Sequence, residues 1–529
     1  MKAYLLIFLF VITSLFGEQK SEIELNALYH SLDPTSIAKL FAFYHLYPKT
    51  SQGKSALSDA WRLMNLHRQD HDRIEENLTL PDMDLQGVIS LVNKQAFEPS
   101  VTLTSEQLDI IEVISNHLHN RKLKGFLVWD VKDISPLPPN EVDLARALLI
   151  HQFEDADDPR FEVRQYEASL DLMALQILAR LSKEASNEEK IHAINQFIFH
   201  EKKFRFPPHS IWAKDIDTYT FLSSVLDSRL GVCLGVSILY LSIAQRLDLP
   251  LEIITPPGHI YVRYKTTDKV INIETTARGV SPPSKVYLGI NTRHLQERNI
   301  KQVIALAFIN QASVAWQKDD HKTTVELYEK ATIYLPNDPL LKMFLGYNYL
   351  FIGEIEKGVA LLEEIRDLTF DHAIYKETAP EDFLAGKASA EGIKTIFRHV
   401  DETRESILEK QKDLEQVLSE YPDFRDGIFQ LAITQLQLSQ SSDALQSLCR
   451  YHKLDPNNPA VEYYLSIVFL DRLRCKKAWH HLKNAEVITT NREHAPEALR
   501  GLRHHLRMLY PDPEDTVKLL PQENLQQSI

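Results

Sequence analysis

The sequence is 529 residues long, 44% hydrophobic and 25% charged, with a formal net charge of −14. That length has room for about three domains, and the composition is that of a globular chain rather than a disordered or fibrous one. The acidic balance argues against a nucleic-acid partner, which calls for a basic face, and only 16 glycines argue against a Gly/Ser linker architecture and favour helix.

Met1-Lys2 opens a short basic start, and Ala3 to Phe16 is almost wholly apolar before Gly17 and the polar run Glu18-Gln19-Lys20. This is the pattern of a secretory signal peptide over residues 1–17. The apolar run is shorter than the roughly 20 residues of a membrane span. The expected location is therefore exported, periplasmic or secreted. The alternative is a membrane contact through an uncleaved N-terminal segment, since Leu15 stands where a small residue is usual before a cleavage site. The three cysteines, Cys233, Cys449 and Cys475, do not make a disulfide scaffold. Cys449 and Cys475 read as independent thiols, with their pairing the alternative in an exported chain.

Residues 22–135 read as a helical region, with helical apolar spacing over Ala38 to Tyr47 and Leu57 to Leu66. His67 and His71 stand at i, i+4, half of a metal site, but no further ligand follows at useful spacing, so a solvated helix face is expected. Pro136 to Asn140 breaks the pattern. Helices are then expected over Val142 to His151, Arg164 to Leu181, Glu188 to His200 and Tyr219 to Ser228, with an irregular stretch over Phe204 to Ile216. From Gly231 the pattern changes. Cys233 to Leu247 has an apolar face of Val236, Leu239, Tyr240, Ile243 and Leu247. Strands follow over Leu251 to Thr255, His259 to Tyr264 and Val270 to Thr275, the first two joined by the turn Pro256-Pro257-Gly258.

Cys233 thus follows a glycine turn and opens a helix. Unpaired N–H groups and the helix dipole there stabilise a thiolate, the reactive form of cysteine, and the same N–H groups can hold an oxyanion. His259, at the start of the next strand, can face Cys233 and handle its proton. A third group must orient the imidazole. Asn272 and Glu274 share a face of the following strand, and Glu274 is the first choice, with Asn272 second. The order of cysteine at a helix start, histidine on one strand and carboxylate on the next is far more specific than any one of them alone.

The segment resembles the SirB-type branch of the transglutaminase-like superfamily over residues 142–295. The resemblance rests on Asp143 to Ile150, Asn195 to Phe199, Phe221 to Gly231, Ile238 to Leu247 and Pro257 to Arg263. It implies a papain-like fold with a Cys-His-Asp triad carried by Cys233, His259 and Glu274, with glutamate where aspartate is usual. Relatives of this kind often carry tetratricopeptide repeats after this domain.

Beyond residue 300 such repeats are legible. Gly346 follows Ala312 by 34 residues, and Ser466 follows Ala432 by the same step. Tyr349, Gly353 and Gly358 complete the first pattern, and Ala444, Pro456, Ala478 and Ala485 the second. The expectation is one repeat pair over 303–370, an irregular helical linker over 371–420 containing an amphipathic helix from Thr403 to Leu418, a second pair over 422–510, and a disordered tail over 511–529. The fold class is mostly α, an α+β transglutaminase-like (papain-like) domain with a small antiparallel sheet followed by a helical repeat array.

Two functional readings follow. One is a cysteine-dependent acyl-transfer enzyme acting on a peptide or protein amide, with the repeats binding a peptide or protein segment on their concave face. The other is a catalytically silent scaffold for protein–protein interaction. No cofactor motif is present. The pairs His480-His481 and His504-His505 do not suggest metal binding, because adjacent helical residues diverge by about 100°.

Overall fold

The computed structural model describes residues 20–67, 84–207, 220–401 and 403–512. The expected signal peptide, His71 and most of the irregular stretch after Phe204 lie outside the described residues. Among the described residues, five helices open the fold: α1 (Glu22–His30), α2 (Ile37–Leu46), α3 (Ser51–Met64), α4 (Gln86–Asn93) and α5 (Ser105–Ile114). Ser21, Ser36, Thr50 and Thr104 cap four of them by accepting a first-turn N–H. His67 is not on a solvated face: its Nε2 lies 2.9 and 3.1 Å from the carbonyls of Leu178 and Leu181, tying this region to the next. One apolar core runs from Leu25 to Leu345.

The next helices are α6 (Leu144–Gln152), α7 (Pro159–Leu178), α8 (Asn187–Asn195), α9 (Leu222–Ser228) and α10 (Cys233–Arg246). α7 starts earlier than its apolar pattern suggests, because Asp158 caps it and Pro159 occupies its first position. α8 runs into a π-helical turn over Gln196–Glu201. α10 is buried all round, Leu234 through Ala244 without exception, rather than on one face. It passes between α6, α7, α9 and the sheet. Behind it, Arg246 pairs with Asp171 at 2.7 Å and Arg146 grips Glu167 bidentately at 2.6 and 2.7 Å, all four buried. Burial without those partners would be prohibitive for such charges.

The sheet holds β1 (Glu252–Thr255), β2 (Tyr261–Lys265), β3 (Val270–Ile273) and β4 (Gln296–Arg298). The order is β3-β2-β1-β4, and each neighbouring pair is antiparallel. The fourth strand, Gln-Glu-Arg, has no apolar alternation and leaves no signal in the sequence.

The rest is helical hairpins: α11 (Ile300–Gln317) with α12 (His321–Tyr334), and α13 (Pro339–Phe351) with α14 (Ile355–Ile365). After α15 (Ala379–Leu384), α16 (Ala390–Phe397) and α17 (Arg404–Glu420) come α18 (Arg425–Gln437) with α19 (Ser441–Leu454), and α20 (Pro459–Asp471) with α21 (Cys475–Thr490), closed by α22 (Glu497–Leu509). The 34-residue step marks the helix crossings. At Gly358 a Cβ would stand 2.8 Å from the Gly346 carbonyl and 2.6 Å from Leu350. At the equivalent crossing of α20 and α21, the Ser466 hydroxyl donates to the Ala478 carbonyl at 2.9 Å.

The stretch 371–420 is more ordered than its lost register suggests. It contributes to a second core running from Met343 to Leu506, and buried Asp382 receives Arg425 on both oxygens. Asp512 is likewise packed, paired with Lys483 at 2.7 Å; the remainder of the expected tail, 513–529, lies outside the described residues. All three cysteines are free. Among the described residues no helix is long and apolar enough to cross a membrane.

Candidate functional site

Cys233 is the first residue of α10. Before it, α9 ends on Arg229 in the left-handed region, φ 58°, and Gly231 N–H then donates to the Arg205 carbonyl at 3.1 Å. At Gly231 a Cβ would meet Val236 Cγ2 at 2.7 Å, so the turn can approach α10 this closely only with glycine. Val232 is the cap residue and provides no side-chain acceptor, so the first-turn N–H groups beside the Cys233 thiol have no side-chain cap.

His259 comes from the turn between β1 and β2. Its N–H closes the turn on the Pro256 carbonyl at 3.0 Å, and Gly258 supplies the left-handed residue at φ 69°. β2 itself starts two residues later, at Tyr261, so His259 sits at the mouth of the strand rather than inside it. β2 and β3 pair with Val262 opposite Ile273. One step further along that register, Glu274 faces Tyr261, which makes His259 and Glu274 diagonal neighbours.

The structure brings all three expected residues together. His259 Nε2 lies 2.7 Å from Glu274 Oε2, and Cys233 is near enough to the ring to act on its charge. Burial alone would lower the His259 pKa; the interactions with Cys233 and Glu274 outweigh it and raise it to about 9. Burial alone would raise Glu274; hydrogen bonds from His259, Thr276 and Tyr287 outweigh it and bring it down to about 2. The pair is thus imidazolium and carboxylate at neutral pH.

Glu274 divides its two oxygens. Oε1 caps a short 3-10 turn, Thr275–Ala277, accepting the Thr276 N–H at 3.2 Å and hydroxyl at 2.6 Å. Oε2 takes His259 and the Tyr287 hydroxyl. The Tyr287 ring also stacks on His259, centroids 5.7 Å apart at 26°. Asn272, the second choice as orienting group, does not reach the histidine. Its amide donates to the Pro282 carbonyl at 2.6 Å and the Ser284 hydroxyl at 3.0 Å, fastening the segment that delivers Tyr287.

One turn beyond Cys233, the Ser237 hydroxyl meets that of Thr275 at 3.0 Å, both side chains buried. The helix that Cys233 opens is therefore bolted to the residue next to Glu274. Tyr240, a turn later again, donates to Asn195 Oδ1 at 3.0 Å, and Asn195 lies against Gly279 in the loop after Glu274. Tyr287, Thr276 and the Ser237–Thr275 contact leave no signal in the sequence: they lie in loops or on a buried helix, where no periodic pattern marks them.

A family model described as the transglutaminase-like superfamily matches residues 164–297, a span that contains Cys233, His259 and Glu274. No curated protein matches the chain. Among solved structures, a thermophilic TPR protein from Thermus thermophilus is similar at 16% identity, covering 39% of this chain and 98% of its own, with a TM-score of 0.20. MamA from Desulfovibrio magneticus is similar at 14% identity, covering 35% of this chain and 96% of its own, with a TM-score of 0.19. Superpositions this loose add nothing to the geometry, and the array is defined by its own helix crossings.

Proposed function

We propose that the chain is a cysteine-dependent acyl-transfer enzyme of the SirB-type branch, exported, whose helical array holds a peptide or protein segment on its concave face. What supports this reading above all is the Cys233–His259–Glu274 constellation on a segment that matches the transglutaminase-like superfamily.

In this mechanism the Cys233 sulfur attacks the carbonyl carbon of an amide. A thiolate is the attacking form, and protonated His259 is the partner with which it forms an ion pair. The oxyanion is held by first-turn N–H groups of α10. His259 then gives its proton to the leaving amine as the C–N bond breaks, which leaves a thioester on Cys233. His259 next takes a proton from water or from an acceptor amine, which attacks the thioester and frees the sulfur. Water gives hydrolysis; an amine gives transfer. Glu274 keeps the imidazole oriented and stabilises its charge throughout.

The test is selective alkylation. With iodoacetamide at neutral pH, Cys233 is expected to label much faster than Cys449 and Cys475, and a Cys233→Ala chain to lose reactivity with a cysteine-directed activity probe. Equal labelling of the three thiols would refute activation and favour the silent scaffold.

A further inference from the structure

The last complete hairpin contains a fully buried carboxylate that no lysine or arginine accompanies among the described residues. Glu462 lies in the first turn of α20 and is 0% exposed. Two imidazoles from the flanking helices face it: His452 from the last turn of α19, with Nδ1 2.6 Å from Oε1, and His481 from α21, with Nδ1 3.0 Å from Oε2. The two rings stand almost perpendicular, centroids 5.5 Å apart at 85°. One ligand atom from each of the three residues falls within a 4.8 Å span.

The hydrogen bonding is incomplete where it matters. His452 Nδ1 and Glu462 Oε1 are buried, and neither makes an aligned hydrogen bond to any described residue despite their closeness. The two atoms converge at 2.6 Å without an aligned hydrogen bond, and a shared cation would satisfy both. Buried charges are ordinarily paired or bound to metal, and this carboxylate has only imidazoles and the Asn484 amide, which donates to Oε2 at 2.9 Å. Asn484 is thus placed as the outer partner that orients a metal-bound carboxylate. Phe469 stacks flat on His481, centroids 5.3 Å apart at 10°, and fixes the plane of its ring.

We propose that His452, Glu462 and His481 form a zinc site in the repeat array, separate from the cysteine centre. Two imidazoles and one carboxylate make a donor set that zinc favours over calcium or magnesium, with a fourth position open to water. His452 is the entry side, its side chain 30% exposed against 12% for His481. The ion would pin three consecutive helices, α19, α20 and α21, and stiffen the end of the array. Spacings of ten and nineteen residues fit no local motif, and adjacent His480 is not part of the set.

The experiment uses the full chain, stripped with chelator and dialysed, and titrated with zinc chloride in a calorimeter, with bound metal counted by elemental analysis. One zinc per chain is expected, with a rise in melting temperature on binding. Glu462→Gln should weaken binding by more than about 100-fold, beyond what loss of an outer partner produces. His452→Asn, at the exposed rim, serves if Glu462→Gln does not fold, and should do the same. Cobalt in place of zinc should give weak tetrahedral d–d absorption with no thiolate-to-metal band. No stoichiometric binding, unchanged binding in the variants, or a thiolate band that points to Cys233, Cys449 or Cys475 would each overturn the proposal.

Discussion

His494 Nε2 lies 2.8 Å from the carbonyl oxygen of Gly289, a contact that spans 205 residues of chain and closes the end of the helical array onto the loop beside the cysteine site. Arg492 reinforces it by donating to the Ala373 carbonyl at 3.2 Å, in a segment that itself bridges Thr292. Gly289 follows the 3-10 turn Ser284–Tyr287, whose tyrosine holds Glu274. The array therefore braces the segment that completes the site.

His494→Ala should remove that brace. The lost hydrogen bond is worth about 0.5–1.5 kcal/mol, because the Gly289 carbonyl it leaves is exposed enough to take water instead. Hydrogen exchange should quicken over the loop from Ser284 to Thr292 while the helix that starts at Cys233 stays protected. Unchanged protection of the loop would mean that the contact does not restrain it.

Glu274→Gln keeps the side-chain length and removes the charge. The imidazole then loses its anionic partner, and its pKa falls from about 9 toward the ordinary value of 6.5. Alkylation of Cys233 at neutral pH should slow by roughly 100-fold, the scale of a lost acid–base partner. The melting temperature should change far less than the rate. A variant that labels like wild type would remove Glu274 from the mechanism.

The pH dependence of stability has two arms. His259 is raised to about 9, so its contribution is complete below 6.5 and is lost as pH rises through about 9. Glu274 is lowered to about 2, so its contribution is complete above 4.5 and is lost as pH falls through about 2. Both are complete between 4.5 and 6.5. Thermal unfolding of wild type against His259→Asn should show the widest gap in that window and a shrinking one toward alkaline pH. A gap that stays flat through pH 9 contradicts the pairing.

Tyr287→Phe keeps the ring stacked on His259 and deletes one hydrogen bond to a carboxylate, worth about 1.5–3 kcal/mol. The Glu274 carboxyl should then titrate higher than in wild type, readable by carbon NMR of labelled glutamate. An unshifted titration would show that Thr276 and His259 alone set its acidity.

Gly358→Ala places a methyl group 2.6 Å from Leu350 and 2.8 Å from a backbone oxygen that cannot step aside. Overpacking of this kind costs about 1–3 kcal/mol, despite the better helix propensity of alanine. Chemical denaturation should report the loss; a stabilised variant would mean the crossing is looser than the structure has it.

Local and periodic features are legible in the sequence alone. Gly231 and Cys233 mark the helix start, Pro256 to His259 the turn, and the order of cysteine, histidine and carboxylate the site. The 34-residue step finds the crossings at Gly346, Gly358, Ser466 and Ala478, because a repeated close contact imposes the same small residues each time. What depends on distant segments is not legible. Asn272 and Glu274 are equivalent by strand period, and the β2–β3 register decides between them: it sets Asn272 opposite Arg263, where it holds Ser284, and brings Glu274 diagonally to His259. Tyr287, the bolt between Ser237 and Thr275, the clasp of His494 on Gly289, and the convergence of His452, Glu462 and His481 each join residues whose sequence separation follows no period. The sequence by itself thus determined which residues make up the candidate site and where helices must cross closely, since backbone geometry restricts residue type locally. The tertiary structure decided which polar groups meet, since burial forces each to find a partner wherever the packed chain offers one.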